Sequence, residues 1–122
     1  MIDVAAVPVS GDGMGQDLAL VAALCAGAVR YMTEGDRRYV YMEGLGFLAR
    51  GAEKRMDALL CLNYPNAGYP TRLYLPVNLG LGLNWNGTAY IFARQWFTWS
   101  WRGVTPAQPP VEILAGHLEA FH

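Results

Sequence analysis

The segment MDALLCLNYP, from Met56 to Pro65, constrains the fold of this chain more than any other part of it. Its apolar residues run on without the every-other-residue alternation of a half-exposed strand, and the run closes at Asn-Tyr-Pro. A short unbroken apolar run bounded by turn residues is the pattern of a strand covered on both faces. Such a strand needs neighbours in the sheet and material above and below it. The chain has 122 residues, of which 53% are apolar. That supplies one well-filled core, whereas two would both be too small.

Punctuation by Gly and Pro divides the rest. The opening, MIDVAAVPVSGDGMGQ, predicts a mobile or loosely docked arm over residues 1–15, followed by a single domain over 16–122. A helix is expected from Gln16 to Ala26, with Gly27 as its stop. Its apolar residues lie nearly all round, so it should be covered by the sheet or by a partner. Glu34-Gly35-Asp36 separates two runs rich in Val and Tyr and predicts a hairpin. GLGFLARGAEKR reads as a loop, MDALLCLNYP as the central strand, NAGYP as a turn and TRLYLPVN as a further strand. Four antiparallel strands are therefore expected between Val29 and Val77. NLGLGLNWNG reads as an irregular Gly/Asn loop, and TAYIFARQWFTWSW fits strand and helix equally. Pro106, Pro109 and Pro110 break the chain before a last helix that gathers Val111, Ile113, Leu114, His117, Leu118 and Phe121 on one face.

Charge narrows the function classes. Nine Lys+Arg stand against ten Asp+Glu, a net charge of −1. This lacks the basic field that nucleic-acid binding requires. The longest apolar run, Leu18 to Val29, is too short to cross a bilayer, so no membrane role is expected. Cys25 and Cys61 sit in apolar runs and read as small buried hydrophobes. With no secretory leader at the N-terminus, a reducing cytoplasmic setting is expected. No metal-ligand spacing occurs and no cofactor is implied. Charged residues are 16% of the chain, below the roughly 25% of an average domain, and the Trp and Tyr content is high. A surface short of charge and rich in aromatics suits a domain covered by a partner.

The order helix, four strands, irregular loop, helix resembles the ubiquitin-conjugating enzyme fold, an α+β architecture. Three local features carry the resemblance. A buried strand ends in Tyr64-Pro65 and leads through Gly68-Tyr69-Pro70 to a strand closing at Leu75-Pro76. The loop Asn84-Trp85-Asn86-Gly87-Thr88 is similar to the Asn-containing active-site loop. Gln95-Trp96 then precedes a Pro-containing stretch and a helix. The tail WFTWSWRGV with His117-Leu118 resembles a divergent bacterial branch, whose members sit in operons with ubiquitin-like proteins, an activating enzyme and a deconjugating peptidase. The resemblance spans Gln16 to Phe121. It implies a ubiquitin-like protein and an activating enzyme as partners, with the target protein unnamed.

One departure decides the chemistry. The family's cysteine should lie about three residues after Gly87, and Tyr90 stands there. If acyl transfer survives, a hydroxyl must carry the group, with Ser100 and Thr88 as candidates. A serine hydroxyl needs an adjacent base, for which His117 is the candidate. Asn84 and Asn86 side chains or loop amides would then serve as oxyanion donors. If chemistry is lost, the chain is a binding platform, docking through Leu18 and Leu20 of the first helix and through Trp85, Trp96 and Trp99. A small interaction domain unrelated to conjugation is the remaining alternative.

Overall fold

A computed structural model describes residues 14–101 and 104–122. The arm expected at the N-terminus lies outside the described residues up to Gly13, and Met14 and Gly15 already belong to the first helix. The elements are α1 (Met14–Ala22), β1 (Val29–Glu34), β2 (Arg37–Ala49), β3 (Ala52–Cys61), β4 (Arg72–Leu75), β5 (Trp85–Ile91), β6 (Arg94–Trp99) and α2 (Pro110–Leu118), closed by a 3-10 turn (Glu119–Phe121). The six strands form one antiparallel sheet in the order β1-β2-β3-β4-β6-β5.

This corrects the expected architecture. The described residues are mostly sheet, with six strands and two short helices, and this is not the four-stranded plan of a conjugating enzyme. Four consecutive strands do lie between Val29 and Leu75, but they are part of a larger sheet. The expected active-site loop is where the difference enters. From Trp85 to Trp99 the chain forms a hairpin whose second strand pairs with β4. Its turn residues Phe92 and Ala93 adopt φ of 52° and 60°, although neither is Gly or Asn. The composition therefore gives no hairpin signal at a turn that needs left-handed residues. GLGFLARGAEKR, expected as a loop, is instead the far end of the β2–β3 hairpin. Its Gly44 has φ +65° and lies in a bulge between Met42 and Leu45. There its N–H donates to Asp57 Oδ1 at 2.9 Å. The first helix also ends four residues earlier than expected, at Ala22, before Cys25 bridges to Leu45 of β2.

The hairpin turn holds local strain, since L-residues with positive φ crowd their own backbone. Ala93 is exposed and contributes no packing. Ala93→Gly is therefore expected to stabilise the domain by about 0.5 to 1 kcal/mol, the relief outweighing glycine's extra unfolded-state freedom. Chemical denaturation measures this, and a loss of stability would mean that the turn is unstrained.

Two cores lie on opposite faces of the sheet. On one face α1 and α2 cover Val40, Met42, Leu45, Leu60, Leu73, Leu75 and Trp99, joined by Leu18, Val21, Ile113, Leu114 and Phe121 from the helical elements. The Arg50 N–H donates to the Phe121 carbonyl at 2.8 Å, tying the C-terminal turn to the β2–β3 hairpin. On the other face Tyr39, Tyr41, Leu59, Cys61, Tyr74, Ile91 and Trp96 pack together. No described helix covers them. Instead the sheet curls, so that the β5–β6 turn meets β1 and β2. The Phe92 ring lies edge-on to Tyr39 at 5.4 Å, and the Phe92 N–H donates to the Glu34 carboxylate at 3.0 Å. Arg94 donates to the Tyr41 hydroxyl at 2.7 Å and to Asp57 at 2.8 Å. The double coverage expected for Ala58–Cys61 is thus achieved, all four residues being buried.

Candidate functional site

Period two along a strand decides which side chains meet. In β4, Leu73 and Leu75 enter the helix-covered core, so Arg72 and Tyr74 face the other side. In β6, Trp96 faces that same side, and residues 98 and 100 follow it. β4 and β6 pair Tyr74 with Thr98, and continuing that register two residues sets Arg72 opposite Ser100. Beyond β6, the register of β5 shifts between Trp85 and Gly87, making Asn86 the extra residue of a bulge. A bulge re-aims a side chain. Here it turns Asn86 onto the face that carries Arg72 and Ser100, while Trp85 stays against Trp99 on the helix side, with ring centroids 5.0 Å apart. Arg72, Ser100 and Asn86 therefore form a row across β4, β6 and β5.

The row is hydrogen-bonded. Arg72 Nη1 donates to Asn86 Oδ1 at 3.2 Å, and Asn86 Nδ2 donates to the Ser100 hydroxyl. The Ser100 N–H donates to the Asn84 carbonyl at 3.1 Å. Above Arg72 stands the proline-bounded loop between β3 and β4. The Tyr64 ring is 4.5 Å from the guanidinium carbon and the Tyr69 ring 5.9 Å. The loop is closed on itself by the Tyr64 N–H to the Pro70 carbonyl at 2.9 Å and by the Gly68 N–H to Asn66 Oδ1 at 2.9 Å.

Arg72 is 7% exposed, and its Nε has no hydrogen-bond partner. Among the described residues no carboxylate pairs with it. Three other arginines have carboxylate partners. Arg30 is paired with Glu43, Arg37 with Asp36 and Arg94 with Asp57. Burial alone would raise the Asp57 carboxyl, but hydrogen bonds from Arg94 and the Gly44 N–H bring it below its ordinary range. The exposed Arg50 and Arg55 donate instead to the Leu81 and Gly44 carbonyls, and the buried Arg72 has two tyrosine faces and an amide oxygen. A guanidinium cannot shed its proton to escape the desolvation penalty.

The residues expected to carry chemistry are placed as follows. His117 on α2 is 2% exposed and shares a 2.8 Å hydrogen bond through Nε2 with the Thr71 hydroxyl. Burial, aided by the nearby Arg72 charge, lowers its pKa to about 4. No hydrogen bond joins His117 to Ser100, whose hydroxyl is engaged by Asn86. Asn84 contributes its backbone to Ser100, and its side chain is exposed. Thr88 is exposed on β5, one residue beyond Gly87. Tyr90, where the resemblance leads us to expect a cysteine, is 73% exposed. Burial pushes the Cys25 thiol up to about 11 and also raises Cys61.

Partner-facing residues divide similarly. Leu20 is exposed on α1, whereas Leu18 is buried and belongs to the domain's own core. Trp96 and Trp99 are fully buried, one in each core, and present no surface to a partner. Trp85 is half-buried, with its indole N–H donating to the Gly80 carbonyl at 2.8 Å. Sequence reasoning singled out Asn86 and Ser100 but missed Arg72. The available signal was a lone cation in TRLYLPVN, on the register of Tyr74, inside an otherwise apolar strand.

No family model, curated protein or solved structure matches this chain. Among the described residues no helix is long and apolar enough to cross a membrane.

Proposed function

We propose that this domain is a binding module that captures an anionic group of a partner and performs no chemistry on it. The observation that carries this reading is Arg72, a buried guanidinium caged by tyrosines and, among the described residues, without a carboxylate partner. An arginine fork matches a carboxylate or phosphate in geometry and charge. Asn86 and Ser100 beside it add an amide and a hydroxyl able to bond the same oxyanion. Catalysis is disfavoured by the same geometry. Acyl transfer to Ser100 would need a base at its hydroxyl, and the histidine expected there is bonded to Thr71.

The pathway implied by the sequence resemblance enters on the same terms, without its architecture. A ubiquitin-like protein and an activating enzyme are the proposed partners. The setting proposed is cytoplasmic, which suits two free cysteines. The domain acts there as a platform rather than an acyl carrier.

Side-chain NMR of the 15N-labelled protein tests the reading with sodium acetate as probe. The Arg72 Nε–H and Asn86 amide signals should shift saturably, and an equal concentration of sodium chloride should not reproduce the shift. Identical responses to the two salts would refute anion capture. An ester-linked adduct at Ser100, formed with activating enzyme, ubiquitin-like protein and ATP, would overturn the platform reading.

A further inference from the structure

An edge strand presents a row of unpaired backbone N–H and C=O groups and invites another strand to pair with it. Among the described residues the sheet has two such edges, and they differ in character. β1 carries Arg30 and Glu34, charges that discourage pairing. β5 reads WNGTAYI, with neither charge nor proline, and Asn86, Gly87, Thr88 and Tyr90 are exposed along it. Its irregularity is confined to the bulge at Asn86, while the register from Thr88 to Ile91 is unbroken. The regular edge therefore runs directly up to the residue that is bonded to Arg72.

Between the edge and Arg72 lies Gly87. With Ala89 and Ile91 packing on the face shared with Arg72, Gly87 points its missing side chain the same way. A Cβ built at Gly87 would meet nothing within 4 Å, and its φ is one that other residues adopt freely. The glycine is thus required neither by backbone conformation nor by packing within the domain. It leaves open space on the sheet one residue from Asn86, which is hydrogen-bonded to both Ser100 and Arg72.

Resting on the anion-capture reading, we infer that the ligand is the C-terminal segment of an extended polypeptide. It adds as a strand antiparallel to β5, and its terminal carboxylate turns in over Gly87 to Arg72, Asn86 and Ser100. Charge complementarity selects this occupant. A strand supplies the backbone groups that β5 lacks, and a chain terminus supplies the carboxylate at the end where the regular ladder stops. A second copy of this domain pairing edge to edge would leave Arg72 without an anion.

The test uses an acetylated six-residue peptide of alternating Thr and Val with a free C-terminus, its C-terminal amide, and an amide-ended version carrying Asp at the last position. Binding to the full chain is followed by fluorescence and by backbone amide exchange. The free acid should bind roughly tenfold to hundredfold more tightly than the plain amide, the range of a charge-assisted hydrogen bond. It should also slow exchange at alternate amides between Thr88 and Ile91. Gly87→Val, which fits the free protein, should abolish discrimination between acid and amide. Equal affinity for acid and amide, or for the Asp-bearing amide, would overturn the terminal-carboxylate assignment. Peptide-induced dimerisation with no β5 protection would also overturn it. A normal acetate response in the face of such results would fault the peptide inference and spare the anion site. Loss of the acetate response as well would fault both.

Discussion

Arg72→Met should make the free domain more stable by about 1 to 3 kcal/mol, while removing its response to acetate and its preference for a free-acid peptide. A charge taken out of water without an opposite charge carries a penalty of several kcal/mol even after relaxation. What offsets it here is modest. A neutral acceptor at 3.2 Å, the Asn86 oxygen, contributes on the order of 1 kcal/mol. Cation–π contact with Tyr64 contributes about 1 to 2 kcal/mol. Methionine fills a similar volume without the charge and packs flexibly against the same rings. Denaturant unfolding of the two proteins gives the comparison. A variant destabilised by a similar amount would show that Arg72 is a structural cation satisfied by its cage, and the basis for anion capture would go. A ligand site that holds an unpaired charge is expected to oppose stability in this way, because the anion that completes it arrives from outside.

The second large effect is acid sensitivity from His117. Its folded pKa is lowered to about 4 by burial and by the Arg72 charge, against about 6.5 for the free side chain. Between these values the unfolded chain binds a proton that the folded domain refuses. Stability is therefore unaffected by this group above about pH 6.5, falls as the pH drops toward 4, and then levels off. Over that window the loss is roughly 3 kcal/mol. The Asp57 and Glu43 carboxyls, both lowered in the fold, act in the same direction but only nearer the acid end, as they protonate. Unfolding free energies measured at intervals across pH 4 to 7 should show this slope, and His117→Gln should flatten it. A slope that persists in His117→Gln would assign the acid sensitivity to other groups. A His117 that titrates normally by NMR would mean that its buried bond to Thr71 opens in solution.

Local chemistry determined much of this molecule. The apolar run at Ala58–Cys61 dictated a strand with both faces covered. Glu34-Gly35-Asp36 dictated the first hairpin, and the periodicity of Ile113, Leu114, His117 and Phe121 dictated which face of the last helix is buried. Each signal is contained in a few consecutive residues, and each element formed accordingly. What the tertiary structure decided is everything that depends on residues distant in the chain. The β5–β6 hairpin turns at Phe92-Ala93, a pair with no turn chemistry of its own. It is held in a left-handed conformation because Phe92 packs on Tyr39, more than fifty positions away. Trp96 and Trp99 look in sequence like an interaction surface. The sheet places them on its two faces and buries both. Ser100 and His117 look like a nucleophile and its base, but Ser100 meets Asn86 across a bulge and His117 meets Thr71. Arg72 gives no sign in sequence of being unpaired, since its lack of a carboxylate is a property of the space around it. A strand's period fixes which way a side chain points, and only the packed sheet fixes what it finds there.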